Sequence, residues 1–228
     1  MPPTEASPTD ASPGAASLPP AEPVAPAADE AAGLLDHLSA WGPTPTPAGS
    51  FRLAPVRVDL DLPLIHRWMN DPAVAQFWEL AGAPHRTEVH LRAQLDGDGR
   101  SVPCLGLLDG TPMSYWEIYR ADLDPLARHY PALPQDTGIH LLLGEAADRG
   151  RGLGTALIRA VADLVLDRRP ACARVVAEPD LRNTPSVSAF VSAGFRIAAE
   201  LDLPGKRAAL VMRDRDRPPR RSVVAVSD

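Results

Sequence analysis

The 228-residue chain has two cysteines, a single lysine (Lys206), no base before Arg52 and only 5% aromatic residues. Each scarcity excludes something. Two cysteines without C-x-x-C spacing build neither a disulfide framework nor a zinc cluster. No apolar run approaches the roughly 18 residues of a membrane span, so no membrane partner is expected. A secretory leader needs a positive start, whereas the first fifty residues carry six acids and no base. The expectation is a soluble, reduced, cytoplasmic protein. Those six acids account for the whole net charge of −6. The rest of the chain is formally neutral and offers no general attraction to nucleic acid.

Proline and alanine are abundant instead, and residues 1–50 hold eleven and twelve of them. Such a segment buries too little apolar surface to offset chain entropy, so a disordered acidic extension is expected there. One stretch departs from it. Leu34, Leu35, Leu38 and Trp41 recur at helical spacing, which predicts a short helix over 30–41 that docks on the body, docks on a partner or frays. Pro43, Pro45 and Pro47 read as a stiff linker. At the other end, 215–228 contains Pro218 and Pro219 among arginines and reads as a flexible tail.

The body, residues 51–214, alternates helix and strand signals, which predicts an α/β domain. Leu64, Ile65, Trp68 and Met69 share one helical face over 61–70, with Pro63 near the start; a second helix is expected over 87–95. Strands at 102–108 and 113–119 flank Asp109-Gly110, a hairpin turn signal. The 137–143 strand puts Ile139, Leu141 and Leu143 on one face and His140 and Leu142 on the other. Leu153, Ala156, Leu157, Ala160, Val161, Leu164 and Val165 then give a long amphipathic helix. A strand at 174–178, a helix capped by Thr184 and Pro185 and closed by Gly194, and a strand at 208–212 complete the pattern.

The long helix is entered through Arg149-Gly150-Arg151-Gly152-Leu153-Gly154. Glycines between a strand and a helix let backbone N–H groups close on an anion at the positive end of the helix dipole. A phosphate or diphosphate ligand follows, unless the glycines serve only a tight turn. No Lys-Ser or Lys-Thr follows Gly154, so this is no Walker loop, and the spacing is not G-x-G-x-x-G.

The order strand, Arg-x-x-Gly-x-Gly, helix, strand, Asn-containing loop, helix, Gly-Phe resembles the GNAT acyltransferases, which move acyl groups from coenzyme A to amines. That resemblance implies a mixed central sheet with splayed central strands flanked by helices, and acyl-CoA as co-substrate. It implies that the loop matching Arg149, Gly152 and Gly154 holds the cofactor diphosphate, with Gly150, Arg151, Leu153 and Thr155 also binding the cofactor. Asn183 to Phe195 resembles the second half of the cofactor cleft, and a backbone N–H at Leu142 or Leu143 supplies the oxyanion donor. Further segments appear in order: Trp68-Met69-Asn70-Asp71-Pro72, Phe77-Trp78-Glu79, Tyr115 to Tyr119, Gly138-Ile139-His140, Glu178 to Thr184 and Lys206 to Leu210. They are similar to the siderophore branch, the mycobactin-type lysine or N6-hydroxylysine N-acyltransferases. In that branch a strand histidine and a downstream aspartate form the catalytic pair, and the matching residues are His140 and Asp180.

Aminolysis of a thioester needs a neutral nitrogen, whereas a lysine-type amine is mostly protonated at pH 7. A carboxylate or imidazole in the cleft removes that proton as nitrogen attacks. Asp180 is expected as the base, and His140 as a positioning group or proton relay. The bland alternatives are a loop cap for Asp180 and a satisfied core histidine for His140. Trp78, Tyr115, Trp116 and Tyr119, with Glu79 and Glu117, are expected to wall the acceptor site and hold a charged end, against core filling as the alternative. The tyrosine that many GNAT enzymes place before Gly-Phe is missing, since Ala189-Phe190-Val191-Ser192-Ala193 stands there. The thiolate then leaves unassisted, or Ser192 or a water protonates it.

Cys104 and Cys172 read as buried small residues. His85 and His90 are five apart, off the spacing of a helical metal pair, and no metal site is expected. The expected partners are a small amine or hydroxylamine, with an acyl carrier protein as an alternative donor. An aminoglycoside 6′-N-acetyltransferase and a non-catalytic acyl-CoA-binding module are the rival functions.

Overall fold

The computed structural model describes Leu35 and residues 37–215. Most of the expected acidic extension (1–34) and the tail from 216 onward lie outside the described residues. Among the described residues eight strands form one sheet: β1 Thr44–Thr46, β2 Gly49–Pro55, β3 Ser101–Leu108, β4 Thr111–Arg120, β5 Thr137–Leu143, β6 Arg174–Ala177, β7 Arg196–Leu203 and β8 Lys206–Asp214. Their order is β1-β2-β3-β4-β5-β6-β8-β7. Five α-helices accompany them among the described residues: α1 Val58–Met69, α2 Pro72–Trp78, α3 Pro84–Leu95, α4 Leu153–Arg168 and α5 Thr184–Ser192.

Alternation along the central strands builds two cores. Trp116, Ile118 and Ile139 face α4, where Leu157, Ile158, Val161 and Val165 are buried. Tyr115 and Leu142 face the other way, against Ile65, Trp68 and Met69 of α1 and Leu91 of α3. Each fully buried aliphatic side chain contributes roughly 1.5–3 kcal/mol, so packing rather than propensity holds these helices.

Among the described residues β5 and β6 are the only parallel neighbours, and their ladder ends after Thr137↔Val175 and Gly138↔Val176. Beyond Gly138 the two strands part, which opens a wedge in the sheet. The closed end is clamped. Asp136, fully buried, accepts from the Arg174 guanidinium at 2.8–3.0 Å and from the Tyr130 hydroxyl at 3.0 Å. Gly138 is required at the fork, because a Cβ there would stand 2.0 Å from Cζ of Tyr119.

Several boundaries differ from the sequence pattern. Residues 38–50, expected as extension and linker, hold a 3-10 helix at Leu38–Trp41, the strand β1 and the start of β2. Leu35, Leu38 and Trp41 are buried in the main core, so this end of the expected 30–41 helix docks on the body. β1 is an edge strand, where proline's missing N–H costs no ladder bond. α1 begins at Val58, which places Pro63 inside the helix rather than at its start. β7 carries no strand signal in the sequence pattern, because six of its eight residues are exposed and show no alternation. Asp109 (φ 47°) and Gly110 (φ 83°) do form the turn between β3 and β4.

Candidate active site

Two adjoining cavities fill the wedge. The larger, about 380 Å³, lies between the end of β5, the loop from Arg149, the start of α4, and α5. Leu142, Leu143, Arg149, Gly150, Gly152, Gly154, Thr155 and Asn183 all line it. Arg151 is exposed outside it, and Leu153 packs on the core instead. Gly150 and Gly152 have φ of 71° and 80°, a left-handed backbone that favours glycine. No side chain caps α4, so its first N–H groups remain available to an anion in the groove.

Arg149 is not a free cation. Its guanidinium pairs with both carboxylate oxygens of Asp71 at 3.1 Å and donates to the carbonyls of Leu143 (3.2 Å) and Gly144 (2.8 Å). Asp71 caps α2 by accepting from the Ala73 N–H. That Arg149 hydrogen bond, with the cap, holds the Asp71 carboxyl below its usual range. The loop is thereby tied to the helix that carries Phe77 and Trp78, which line both cavities.

The smaller cavity, about 200 Å³, shares Phe77, Trp78, Leu141, Asn183 and Ser186 with the groove. His140, Asp180, Glu117, Glu178 and Lys206 line it together. Their hydrogen bonds are dense. His140 Nδ1 lies 3.0 Å from Glu117 Oε2, and Nε2 lies 2.6 Å from Glu178 Oε1. Glu117 accepts further from Gln94 (2.8 Å) and the Tyr115 hydroxyl (2.9 Å), and meets His90 at 2.5 Å. Glu178 accepts from the Tyr119 hydroxyl at 2.8 Å, and Lys206 Nζ donates to the Glu178 main-chain carbonyl at 2.7 Å.

Burial opposes charge on His140, but the Glu178 charge and the bonds to both glutamates outweigh it and push the ring up to about 10. The imidazolium then donates from both nitrogens and keeps no lone pair for a substrate proton. Burial likewise opposes charge on Glu117 and Glu178, yet His140 and the other donors hold both well below the usual carboxylate range. Asp180 stands just beyond β6, in a single antiparallel bridge to Ala208. It accepts from the Arg182 N–H (2.8 Å) and guanidinium (2.6 Å), which lowers its carboxyl.

The structure separates residues that the sequence grouped. Trp116 is fully buried on the α4 face, edge-on to Phe51 at 5.9 Å with its indole N–H on Ser114, so it cannot wall the acceptor cavity. Alternation along β4 sends it to the side opposite Glu117. Glu79 is exposed at the C-cap of α2, with φ 54°, and lines neither cavity. Tyr119 is buried beneath Glu178, with its ring 4.8 Å from that of His140. Glu117 is occupied by protein donors. Trp78 remains as the aromatic wall, edge-on to His140 at 6.2 Å and to Tyr115 at 5.4 Å. Sequence reasoning gave no site role to Glu178, Lys206, His90 or Gln94, although Glu178 and Lys206 open two of the segments similar to the siderophore branch and Lys206 is the only lysine.

A family profile for the acetyltransferase (GNAT) domain matches residues 57–203. The lysine N-acyltransferase MbtK of Mycobacterium sp. (strain MCS) is 36% identical over 180 residues, covering 78% of this chain and 73% of that protein. The N(6)-hydroxylysine O-acetyltransferase of Escherichia coli is 39% identical over 167 residues, which cover 73% of this chain but only 52% of that protein. Among solved structures, an uncharacterized protein from Bacillus halodurans superposes with a TM-score of 0.70 at 31% identity, over 76% of this chain and 91% of that one. The aminoglycoside acetyltransferase AAC(6')-Ib in complex with coenzyme A gives 0.64 at 24% identity, over 73% of this chain and 95% of that one, a likeness of fold. The splayed β5–β6 pair, the uncapped helix behind a glycine loop and this profile match agree: the chain belongs to the GNAT acetyltransferase family.

Proposed function

We propose that the chain transfers an acyl group from acyl-CoA to the side-chain nitrogen of lysine, N6-hydroxylysine or a related hydroxylated diamine, as a step of hydroxamate siderophore biosynthesis. The observation that carries this reading is the junction of the two cavities at Trp78, Leu141 and Asn183. An acyl-CoA with its diphosphate on the amides of 150–155 would bring its thioester to that junction. The names of the relatives give the acceptor class.

In this reading nitrogen attacks the thioester carbon, the C–S bond breaks and the thiolate leaves as coenzyme A. An N–H of β5 near Leu142 steadies the oxyanion. The proton shed by nitrogen passes to Asp180, directly or through water. His140 acts as a positioning group, because an imidazolium fixed at both nitrogens relays no proton. Trp78 packs along the aliphatic part of the acceptor.

The test is thiol release from acetyl-, succinyl- and long-chain acyl-CoA against lysine, N6-hydroxylysine and N-hydroxycadaverine. Turnover of at least one of these acceptors is expected. Acetylation of kanamycin with none of them turned over would overturn the reading, and so would coenzyme A binding without any transfer.

A further inference from the structure

Every carboxylate in the acceptor cavity already has a cation on it. Glu117 meets His140 and His90; Glu178 meets His140 and Lys206; Asp180 meets Arg182. The remaining lone pairs face Gln94, Tyr115, Tyr119 and the Arg182 N–H. Lys206 is the informative member. It opens β8, its Nζ lies 2.7 Å from the Glu178 carbonyl oxygen and 3.4 Å from Oε1, and about a third of its side chain (32%) remains exposed. It carries the same primary ammonium as an unmodified lysine acceptor, in the place where that acceptor would seek a counter-ion.

We infer that Lys206 determines acceptor specificity: it fills the cation position on Glu178 from within the chain, so the acceptor nitrogen must enter uncharged, which selects an N-hydroxylated side-chain amine over the unmodified ammonium. The inference rests on the proposed transfer to a lysine-type nitrogen. A second ammonium in this cavity sheds water, finds no unpaired carboxylate and is repelled by Lys206 Nζ. A hydroxylamine avoids both charge penalties and loses far less hydration, because its electronegative oxygen lowers the basicity of nitrogen and leaves it neutral at pH 7. The N–C bond then forms, the C–S bond breaks, and nitrogen loses a proton to Asp180 or solvent, giving a hydroxamate. The reaction that supplies the acceptor is accordingly the N-hydroxylation of a primary amine, and it precedes acylation.

The experiment compares KM for N6-hydroxylysine with the inhibition constant of L-lysine as its competitor, first in the unaltered protein. Lysine is expected to bind about tenfold or more weakly than N6-hydroxylysine. In Lys206→Met, where His140 and Tyr119 still hold Glu178, the kcat/KM preference for N6-hydroxylysine over lysine should fall about tenfold, while Lys206→Arg retains it. Equal or tighter lysine binding by the unaltered protein overturns the inference whether or not the variants fold. An unchanged preference in a folded Lys206→Met protein overturns it too. If neither compound binds or turns over while kanamycin is acetylated, the proposed lysine-type acceptor itself fails, and the inference with it.

Discussion

Nε2 of His140 and Oε1 of Glu178 stand 2.6 Å apart across the fork where the β5–β6 ladder has already ended. The contact bridges the open wedge. With its value pushed up to about 10, the ring carries its charge at neutral pH rather than titrating there.

This charge is a stability element with a defined pH window. The folded-state value of about 10 lies above the ordinary 6.5, so the contribution is complete below about 6.5 and is lost as pH rises through 10. Glu178 behaves oppositely: its contribution is present above about 4.5 and fades as pH falls toward its depressed value. Thermal unfolding of the unaltered protein and His140→Gln should therefore differ most near pH 6 and converge toward pH 10. A gap that stays constant between pH 7 and 10 would count against the charged ring.

Asp180→Asn removes the proposed proton acceptor and leaves an amide of similar shape beside Arg182. Turnover should drop by roughly a hundredfold or more, with acyl-CoA binding unchanged by calorimetry. His140→Ala should match that loss for a different reason, because it leaves Glu117 and Glu178 without their shared cation. Full activity in both variants would falsify the site assignment.

Asp71→Ala deletes the cap of α2 and the partner of Arg149. A cap of this kind is worth about 1 kcal/mol, which should appear as a lower denaturation midpoint. Because α2 carries Trp78, KM for the acceptor should rise more than kcat falls. An unaltered acceptor KM would show that Trp78 is held by other contacts.

Trp78→Ala and Trp116→Phe discriminate the two tryptophans. The first should raise acceptor KM about tenfold through lost apolar contact, and should lower stability as well, because Trp78 packs half-buried against the α1 core. The second should lower stability by about 1–3 kcal/mol, since Ser114 loses its indole partner in a packed core, and leave KM unchanged.

Gly154→Ala is spatially mild for the fold, because a Cβ there would lie 3.9 Å from Ala189 Cβ and from Leu143 Cδ1. It enters the groove, however. The melting temperature should hold while coenzyme A affinity falls, as read by calorimetry. Gly152→Ala differs: its φ of 80° makes it cost stability by roughly 1 kcal/mol as well.

The legible parts of the fold were those with strong local periodicity or turn chemistry. The stripe of α4, the Asp109-Gly110 turn and the alternation of β5 all follow from neighbours within a few residues. β7, mostly exposed, carries no such signal, and β1 becomes a strand only because β2 lies beside it. Of the site, the glycine loop and the pair His140 and Asp180 were visible as residue types in a known order. Arg149 was expected at the diphosphate, yet its bond to Asp71 joins positions 78 residues apart, beyond any local pattern.

What the chain alone determined is the set of elements and the glycine-rich entry to α4, since these depend on backbone preferences and on apolar spacing along a single segment. Tertiary structure decided the charge state of the site. Glu117, His140, Glu178 and Lys206 come from three strands and a strand end, and each carboxylate's affinity for protons depends on which cations the fold places within about 3 Å of it. No spacing along the chain encodes that distance.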